Sequence, residues 1–140
     1  MRKILITFLL LISLTSCATA DEFVSERTLP TNQYGYVDFN LALGSGKPLI
    51  SKFGLEICTG CIEANQLLIS LMPSYRESVY FSSVDLMENR EAEEKYHLTV
   101  MPTIIFFDPS GKEIHRIEGL VTKEAVVKQL DEMIRSNQNE

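Results

Sequence analysis

The chain has 140 residues, 45% of them hydrophobic and 23% charged, which suits one globular domain with a short N-terminal extension. Its formal net charge of −6, with no basic stripe, argues against nucleic acid as a partner. Apart from the two ends, no segment is biased enough in composition to be predicted disordered.

The first 20 residues have the pattern of a targeting signal. Two basic residues precede a largely apolar stretch, Ile4 to Leu14, which is 11 residues long. This stretch is too short to span a bilayer, which takes about 20 residues. Export by such a signal leads to an oxidising compartment, so we expect an extracytoplasmic, periplasmic protein.

Two cleavage sites compete after this stretch. Residues 14–17 (LTSC) resemble the lipobox of bacterial lipoproteins, in which the cysteine is lipidated and becomes the first residue. Residues 18–20 (ATA) also fit an ordinary signal peptidase site. We favour cleavage before Cys17 and lipidation at Cys17, which would anchor the protein to a membrane. Either site leaves Cys58 and Cys61 as the free thiols of the domain.

The folded domain is predicted to span residues 34–136. Residues 21–33 are polar and mixed and are predicted to be a tether, and residues 137–140 are predicted to be a disordered tail. At the start of the domain, Asp38 can cap a short helix that runs through Leu43.

A strand, a helix and a second strand follow in that order. We predict the first strand from Pro48 to Phe53, the helix from Thr59, and the second strand from Val79 to Val84. Pro73 is expected to end or kink the helix. This order implies a right-handed crossover with parallel pairing of the two strands.

The second half of the domain is predicted to close the sheet. A polar helix is expected over Glu88 to His97, and Thr103 to Phe107 is an apolar strand suited to burial on both faces. Asp108 to Gly111 fits a type I turn, after which Lys112 to Glu118 returns as the other arm of a hairpin. Thr122 can cap a last helix with an apolar stripe. The fold class is therefore α/β, with a mixed central sheet and helices on both faces.

The motif Cys58-Thr59-Gly60-Cys61 stands where the apolar run gives way to the helical pattern. A thiol at a helix N-terminus faces unpaired backbone N–H groups and the positive end of the helix dipole, and both favour the thiolate. The second thiol, three residues on, is within reach of the first. The pair can therefore close into a disulfide and reopen, which is redox chemistry.

A CxxC motif that opens the helix of a βαβ unit, followed by Val100-Met101-Pro102-Thr103 before an apolar strand and hairpin, resembles the thioredoxin fold. The resemblance implies that Pro102 is cis and faces the CxxC motif. It also implies that Cys58 is the nucleophile, that Cys61 resolves the mixed disulfide, and that Met101 and Pro102 bind an extended peptide substrate.

The same resemblance, which includes the thioredoxin-like modules of bacterial membrane-linked disulfide reductases, implies a thiol–disulfide oxidoreductase. Its expected partners are the disulfides of client proteins and a membrane electron donor. No diffusible cofactor is implied, and we expect a monomer.

The sequence departs from the family pattern in three places. Ile57 stands before the first cysteine, where the family usually has tryptophan. The family's buried acid would fall at Lys52, which cannot accept the Cys61 proton while charged, and Glu56 is the nearest substitute. Otherwise Lys52 is expected to be an edge-strand lysine whose ammonium reaches water. Thr59-Gly60 is neither the usual Gly-Pro nor the Pro-His of strong oxidants, and we favour a reductant.

Three other interpretations of the cysteine pair are a structural disulfide, half of a zinc site, and a thioredoxin-like copper-binding assembly factor. The first is disfavoured because so small a loop constrains little chain entropy. A zinc site needs two more ligands, and only His97 and His115 are available. In a copper-binding protein, His97 or His115 would join the two thiolates. We predict no resident metal, and the copper-binding factor is the main alternative.

Overall fold

The computed structural model describes residues 28–138, and the apolar segments of this range form four strands and four helices. The predicted targeting signal, Cys17 and most of the predicted tether lie outside the described residues. In chain order the elements are α1 (Phe39–Ala42), β1 (Leu49–Gly54), α2 (Thr59–Tyr75), β2 (Tyr80–Asp85), α3 (Glu91–Lys95), β3 (Thr103–Phe107), β4 (Glu113–Glu118) and α4 (Lys123–Gln138). In this part of the chain, no helix combines the length and the apolar character needed to cross a membrane.

The strands form one mixed sheet in the order β2-β1-β3-β4. β1 pairs in parallel with β2, as the strand–helix–strand order predicted, and antiparallel with β3. β3 and β4 form the predicted antiparallel hairpin. The loops at residues 55–58, 86–90, 99–102 and 119–122 therefore meet at one end of the sheet, which we call the thiol end. Residues 44–48 and 108–112 lie at the opposite end, which we call the turn end.

Helices cover both faces of the sheet, which confirms the predicted fold class. One core cluster includes Leu68 of α2 and Leu130 of α4. The other includes Ala42 of α1, Ala92 of α3 and the ring of Phe53. Both β1 and β3 are buried along their whole length, as expected of central strands that are covered on both faces.

The segment before β1 is bound to the sheet. Asp38 caps α1 as predicted, since its carboxylate accepts the Leu41 N–H at 3.0 Å. The Val37 N–H donates to the Phe81 carbonyl at 2.9 Å, so this segment lies along the outer side of β2. Thr31, which falls in the predicted tether, forms an isolated β-bridge with Val37.

Pro73 was predicted to end or kink α2, and it does not end the helix, which continues to Tyr75. Proline removes only its own N–H bond, and the next turn is still closed by the Arg76 N–H, which donates to the Met72 carbonyl at 2.9 Å.

The predicted length of α3 is wrong, since this helix has five residues rather than the ten predicted over 88–97. Before the helix, the Asp85 carboxylate accepts the Met87 N–H at 2.9 Å, and the Asp85 carbonyl accepts the Asn89 N–H at 3.0 Å. The bond to the Asp85 carboxylate forms a local turn that competes with helix at this point. After the helix, His97 adopts a positive φ of 51°, which ends the helical path.

Lys52 is not an edge-strand lysine, and that prediction is wrong. β1 lies between β2 and β3, and Lys52 is only 4% exposed. Its register partners are Ser83 on one side and Ile104 on the other. Lys52 therefore lies in a central strand, because the order of the strands places a neighbour on each side of β1.

The turn end is closed by hydrogen bonds. The Gly111 N–H donates to the Asp108 carbonyl at 2.9 Å, which forms the predicted turn. The Asp108 carboxylate accepts the Ser110 N–H at 2.9 Å and the Ser110 hydroxyl at 2.6 Å. The Gly46 N–H donates to the Pro109 carbonyl at 3.1 Å and so joins the two turns of this end.

The outer strand β4 carries ion pairs. Arg116 pairs with Glu113 through its guanidinium and lies 3.5 Å from Glu118. Arg116 also donates to the Tyr96 carbonyl at 3.1 Å, which connects β4 to the chain that follows α3.

Candidate active site

Cys58 occupies the N-cap position of α2. Its φ of −83° and ψ of 124° are extended, and the chain turns into the helix at the next residue. Cys58 Sγ accepts the backbone N–H of Cys61 at 3.3 Å, as a capping oxygen does in other helices. The side chain is partly exposed, so a thiolate here would be stabilised by helix N–H groups and still be accessible.

The two thiols differ in burial and in pKa. The pKa of Cys58 is lowered, chiefly because the Cys61 thiol donates a hydrogen bond to its sulfur, and next because the Cys61 and Gly60 backbone N–H groups do so. Cys61 is fully buried, and burial raises the pKa of its thiol, with a further rise from its hydrogen bond to Cys58. The arrangement can therefore hold one thiolate, at Cys58, beside a neutral thiol that donates to it.

Pro102 lies against the CxxC motif. The Met101–Pro102 peptide bond is cis, as the resemblance implied. A Cβ added to Gly54, the last residue of β1, would lie 2.7 Å from Cys61 Sγ and 3.8 Å from Pro102 Cα. A Cβ added to Gly60 would lie 3.4 Å from Pro102 Cδ. The strand, the helix and the proline loop thus meet closely around Cys61.

Sequence reasoning did not identify Gly54 as a residue of this site. The available signal was a glycine at the end of an apolar strand, which often marks the close approach of another segment. Here the approaching atom is Cys61 Sγ, and any side chain at Gly54 would occupy its space.

Met101 and Pro102 were predicted to bind substrate. The Met101 side chain packs partly buried against the core on the α1 and α3 face, whereas Val100 is 42% exposed. The Pro102 carbonyl accepts the Gly119 N–H at 2.8 Å, and the Thr103 hydroxyl donates to the Val100 carbonyl at 2.6 Å. These bonds fix the loop, so a bound peptide would contact mainly its backbone and Val100.

Apolar side chains are exposed around the thiols. The large exposed ones at the thiol end, which we call the apolar rim, are Ile57, Ile62, Met87, Val100 and Leu120. Ile57 is 79% exposed and Leu120 is 85% exposed, values that are unfavourable for a side chain with no role outside the domain. Exposed apolar groups gathered at one place are typical of an interaction site. The sequence showed Ile57 where the family usually has tryptophan, but it gave no signal for Leu120.

Lys52 is buried near the two thiols. Burial lowers the pKa of Lys52, while the negative forms of Cys61, Asp85, Glu56 and Cys58 act in the opposite direction. Glu56, which was the candidate substitute for the family's buried acid, is exposed in the loop after β1.

Metal ligands do not gather at the thiols in the described part of the chain. Among residues 28–138, no group of three or more His, Cys, Asp or Glu side chains could hold a metal ion. His115 lies exposed on β4 with its ring centroid 5.7 Å from that of Phe106, and His97 follows α3. The copper-binding alternative therefore finds no third ligand among these residues.

The fold and the thiol pair define a thioredoxin-like protein. The family model described as a thioredoxin-like domain matches residues 36–134, which is more than half of the chain. The chain belongs to this family, and its activity is that of a thiol–disulfide oxidoreductase. The family resemblance stated from the sequence is confirmed.

Solved thioredoxins are similar in structure to this chain. Thioredoxin of Fasciola hepatica is 26% identical with a TM-score of 0.59, and the match covers 67% of this chain and 88% of that one. Mitochondrial thioredoxin 3 of Saccharomyces cerevisiae, in its oxidised form, is 25% identical with a TM-score of 0.59, over 66% of this chain and 84% of that one.

Thioredoxin O2 of Arabidopsis thaliana, also oxidised, is 21% identical with a TM-score of 0.62, over 75% of this chain and 99% of that one, and supports the fold alone. No curated protein sequence matches the chain significantly.

Proposed function

We propose that the protein is an exported, membrane-tethered oxidoreductase in which Cys58 attacks client disulfides and Cys61 resolves the mixed disulfide. The difference between the two thiols carries this assignment. Cys58 is partly exposed and has a lowered pKa, whereas Cys61 is buried and has a raised pKa. Since the thiolate is the attacking species in disulfide exchange, the accessible thiol of lower pKa is the nucleophile.

The reaction consists of two exchange steps. First, the Cys58 thiolate attacks one sulfur of the client disulfide, the Cys58–client bond forms, and the released client sulfur leaves as a thiolate that is protonated by water. Second, Cys61 loses its proton to water and attacks Cys58 Sγ, so that the Cys58–Cys61 bond forms and the second client thiolate leaves. The client gains two electrons, and the cysteine pair loses two.

The proposed direction is reduction of client disulfides. Thr59-Gly60 between the cysteines differs from the Pro-His of strong oxidants, which favours this direction. Turnover then needs a membrane electron donor that returns two electrons to the Cys58–Cys61 disulfide. A lipid on Cys17 would hold the protein beside such a donor, and the LTSC sequence at residues 14–17 supports this anchor.

The proposed client segment is extended and apolar. Its backbone would pair with that of Met101, next to Pro102, which has no N–H of its own to satisfy. Its side chains would contact the apolar rim, of which Ile57 and Leu120 are the most exposed members.

Variants of the two cysteines test the roles directly. Cys58→Ser should abolish insulin reduction, and Cys61→Ser should trap a mixed disulfide that is visible on a non-reducing gel, because the resolving thiol is missing. The double variant is the control and should trap nothing. Turnover by Cys58→Ser, or a failure of Cys61→Ser to trap any client, would contradict the assigned roles.

The midpoint potential of the Cys58–Cys61 couple tests the direction of electron flow. A potential near about −270 mV is expected for a reductant, and one near about −120 mV would show an oxidant. Equilibration with glutathione or a reference thioredoxin gives this value.

Fractionation of cells that express the full chain tests the anchor. Cys17→Ala should move the protein from the membrane fraction to the soluble fraction and abolish labelling by a fatty-acid analogue. Labelling that persists in this variant would overturn the assignment of Cys17.

A further inference from the structure

β1 directs Lys52 towards the face on which Cys61 lies. Side chains of a strand alternate between its two faces, so residues two apart share a face. A Cβ added to Gly54 would lie 2.7 Å from Cys61 Sγ and 3.3 Å from Cys61 Cβ, so this is the face covered by the first turn of α2. Lys52 lies one strand repeat away, roughly 7 Å, further into the sheet on the same face.

The surroundings of Lys52 are acidic and largely closed to solvent. It is 4% exposed, and it makes no hydrogen bond or ion pair with another described residue. The ionisable groups that act on it are Cys61 and Cys58 of α2, Asp85 at the end of β2, and Glu56 in the loop after β1. The negative form of each favours the ammonium, which offsets part of the cost of burying it.

We propose that the Lys52 ammonium is a positioning residue of the exchange reaction, whose buried positive charge favours the Cys61 thiolate and so accelerates the resolving step. The inference deepens the proposed function and rests on it, because it concerns the step in which Cys61 releases the client. Cys61 must ionise to attack Cys58 Sγ, and its burial opposes this. A cation that is partly removed from solvent on the same face favours the ionised form with less screening by salt than a surface charge would suffer.

Lys52 acts in this step without exchanging a proton. The Cys61 proton leaves to water, the Cys58–Cys61 bond forms as the Cys58–client bond breaks, and Lys52 carries the same charge before and after. A buried carboxylate at this position would instead have to accept the proton and would repel the thiolate. The proposed role is therefore electrostatic and depends on the charge of Lys52, not on its hydrogen bonds.

Alkylation of Cys61 in a Cys58→Ser background isolates the effect. Lys52→Met, which keeps a similar volume, should lower the alkylation rate of Cys61 at neutral pH about tenfold and move its pH profile upward, because one opposite charge near the thiol is lost. Lys52→Arg should restore the profile. Lys128→Met removes a charge from the exposed side of α4 and should leave the profile unchanged. Circular dichroism of each variant reports whether it is folded.

The potential of the intact cysteine pair gives a second readout. At a pH where both thiols of the reduced pair are ionised, a tenfold weakening of the Cys61 thiolate by Lys52→Met should lower the potential by about 30 mV, because the reduced form alone loses stabilisation. A merely structural lysine would change the melting temperature and leave both the pH profile and the potential where they are, and that result would overturn the proposal.

NMR of isotope-labelled lysine side chains tests the coupling in the unaltered protein, where folding is not in question. Coupling is reciprocal, so formation of the Cys58–Cys61 disulfide, which removes the thiolate, should lower the pH at which Lys52 titrates. Equal titration of Lys52 in both redox states would contradict the proposal. None of these measurements requires client turnover. The role of Lys52 can therefore be contradicted while the roles of the cysteines hold, and the roles of the cysteines can be contradicted while that of Lys52 holds.

Discussion

The two ends of the sheet differ in the residues that form them and in how well these residues are satisfied within the domain. At the turn end, glycines, a proline and the Asp108 carboxylate satisfy one another's backbone groups through short hydrogen bonds. At the thiol end, large apolar side chains such as Leu120 are exposed to solvent. The N-cap of α2 is the Cys58 thiol, where other helices usually have a side-chain oxygen. Groups that cost free energy in isolation are thus concentrated at one end.

This contrast indicates that the turn end contributes to stability and the thiol end to function. The turn end can be explained by stability alone, because each of its unusual residues has a partner within the domain. The thiol end cannot, because stability alone does not require an exposed Leu120, a buried Lys52 or a Cys58 thiol of lowered pKa. The exceptions to ordinary packing therefore mark the functional end, and substitutions at the two ends should separate activity from stability.

Gly54→Ala is expected to have the largest effect and to act at the thiol end. Its Cβ would lie 2.7 Å from Cys61 Sγ, so the resolving sulfur must move. Turnover of insulin should fall at least about tenfold, and unfolding should require about 1–3 kcal/mol less, as measured by activity and denaturant titration.

Gly60→Ala is the matched control for that substitution. The new Cβ would lie 3.4 Å from Pro102 Cδ, and Gly60 is in the first turn of a helix, where alanine is favoured. Activity should remain within about twofold of the parent. An equal loss in both variants would mean that the close contact at Gly54 is not special.

Asp108→Ala should lower stability at the turn end and spare activity. The carboxylate accepts hydrogen bonds from the N–H groups of Ser110 and Lys112, at 2.9 Å and 3.0 Å, and its loss should cost about 1 kcal/mol in chemical denaturation. Insulin reduction and Cys58 alkylation should not change. Loss of activity without loss of stability would break the comparison between the two ends.

The pH dependence of this stability difference has a definite sign. The pKa of Asp108 is lowered, chiefly by the hydrogen bond from the Ser110 hydroxyl and also by the Lys112 and Ser110 N–H groups. As the pH falls, the Asp108 carboxyl of the unfolded chain is therefore protonated before that of the folded chain, at about pH 3.9. The stabilisation is complete above that pH and is lost as the pH falls through the lower folded value. Asp108→Asn, which keeps an acceptor oxygen, should lose this dependence.

Leu120→Ser should have the smallest effect, which is a loss of client binding at the thiol end. Removal of one apolar side chain from the rim should lower kcat/KM for an unfolded protein client about fivefold, or ~1 kcal/mol. Alkylation of Cys58 by a small reagent should stay the same, because the sulfur is untouched. Leu41→Ser is the control, since Leu41 is 57% exposed on α1, the helix that leads into the turn end. Equal effects of the two would exclude the rim as a client surface.

Local chemistry made much of the fold predictable. β3 was predicted at its observed bounds because its apolar run lies between Pro102 and Asp108, two residues that restrict the chain on either side. The start of α2 at Thr59 follows from the change of hydrophobic period after the first cysteine. The cis bond at Pro102 was available only from the family resemblance, since spacing alone does not define it.

Features that depend on tertiary neighbours were missed. The burial of Lys52 depends on β3 entering the sheet beside β1, and local periodicity carries no information on strand order. α3 was predicted to be longer because its charged residues suit a helix. The hydrogen bond from the Met87 N–H to the Asp85 carboxylate, which competes with helix, depends on where β2 ends. Gly54 must lack a side chain only because Cys61 Sγ of α2 lies against it, and the sequence of β1 alone does not show this contact.

The charges on β4 have a consequence for how copies of the chain behave at high concentration. A bare outer strand can add a strand from a second molecule and seed aggregation. β2 is shielded by the segment that contains Val37, and β4 presents Arg116 with its two glutamates. A second copy that added to β4 would have to cover or rearrange these charges, which opposes addition at this strand. In the proposed function, an extended client therefore adds beside Pro102 and not at an outer strand.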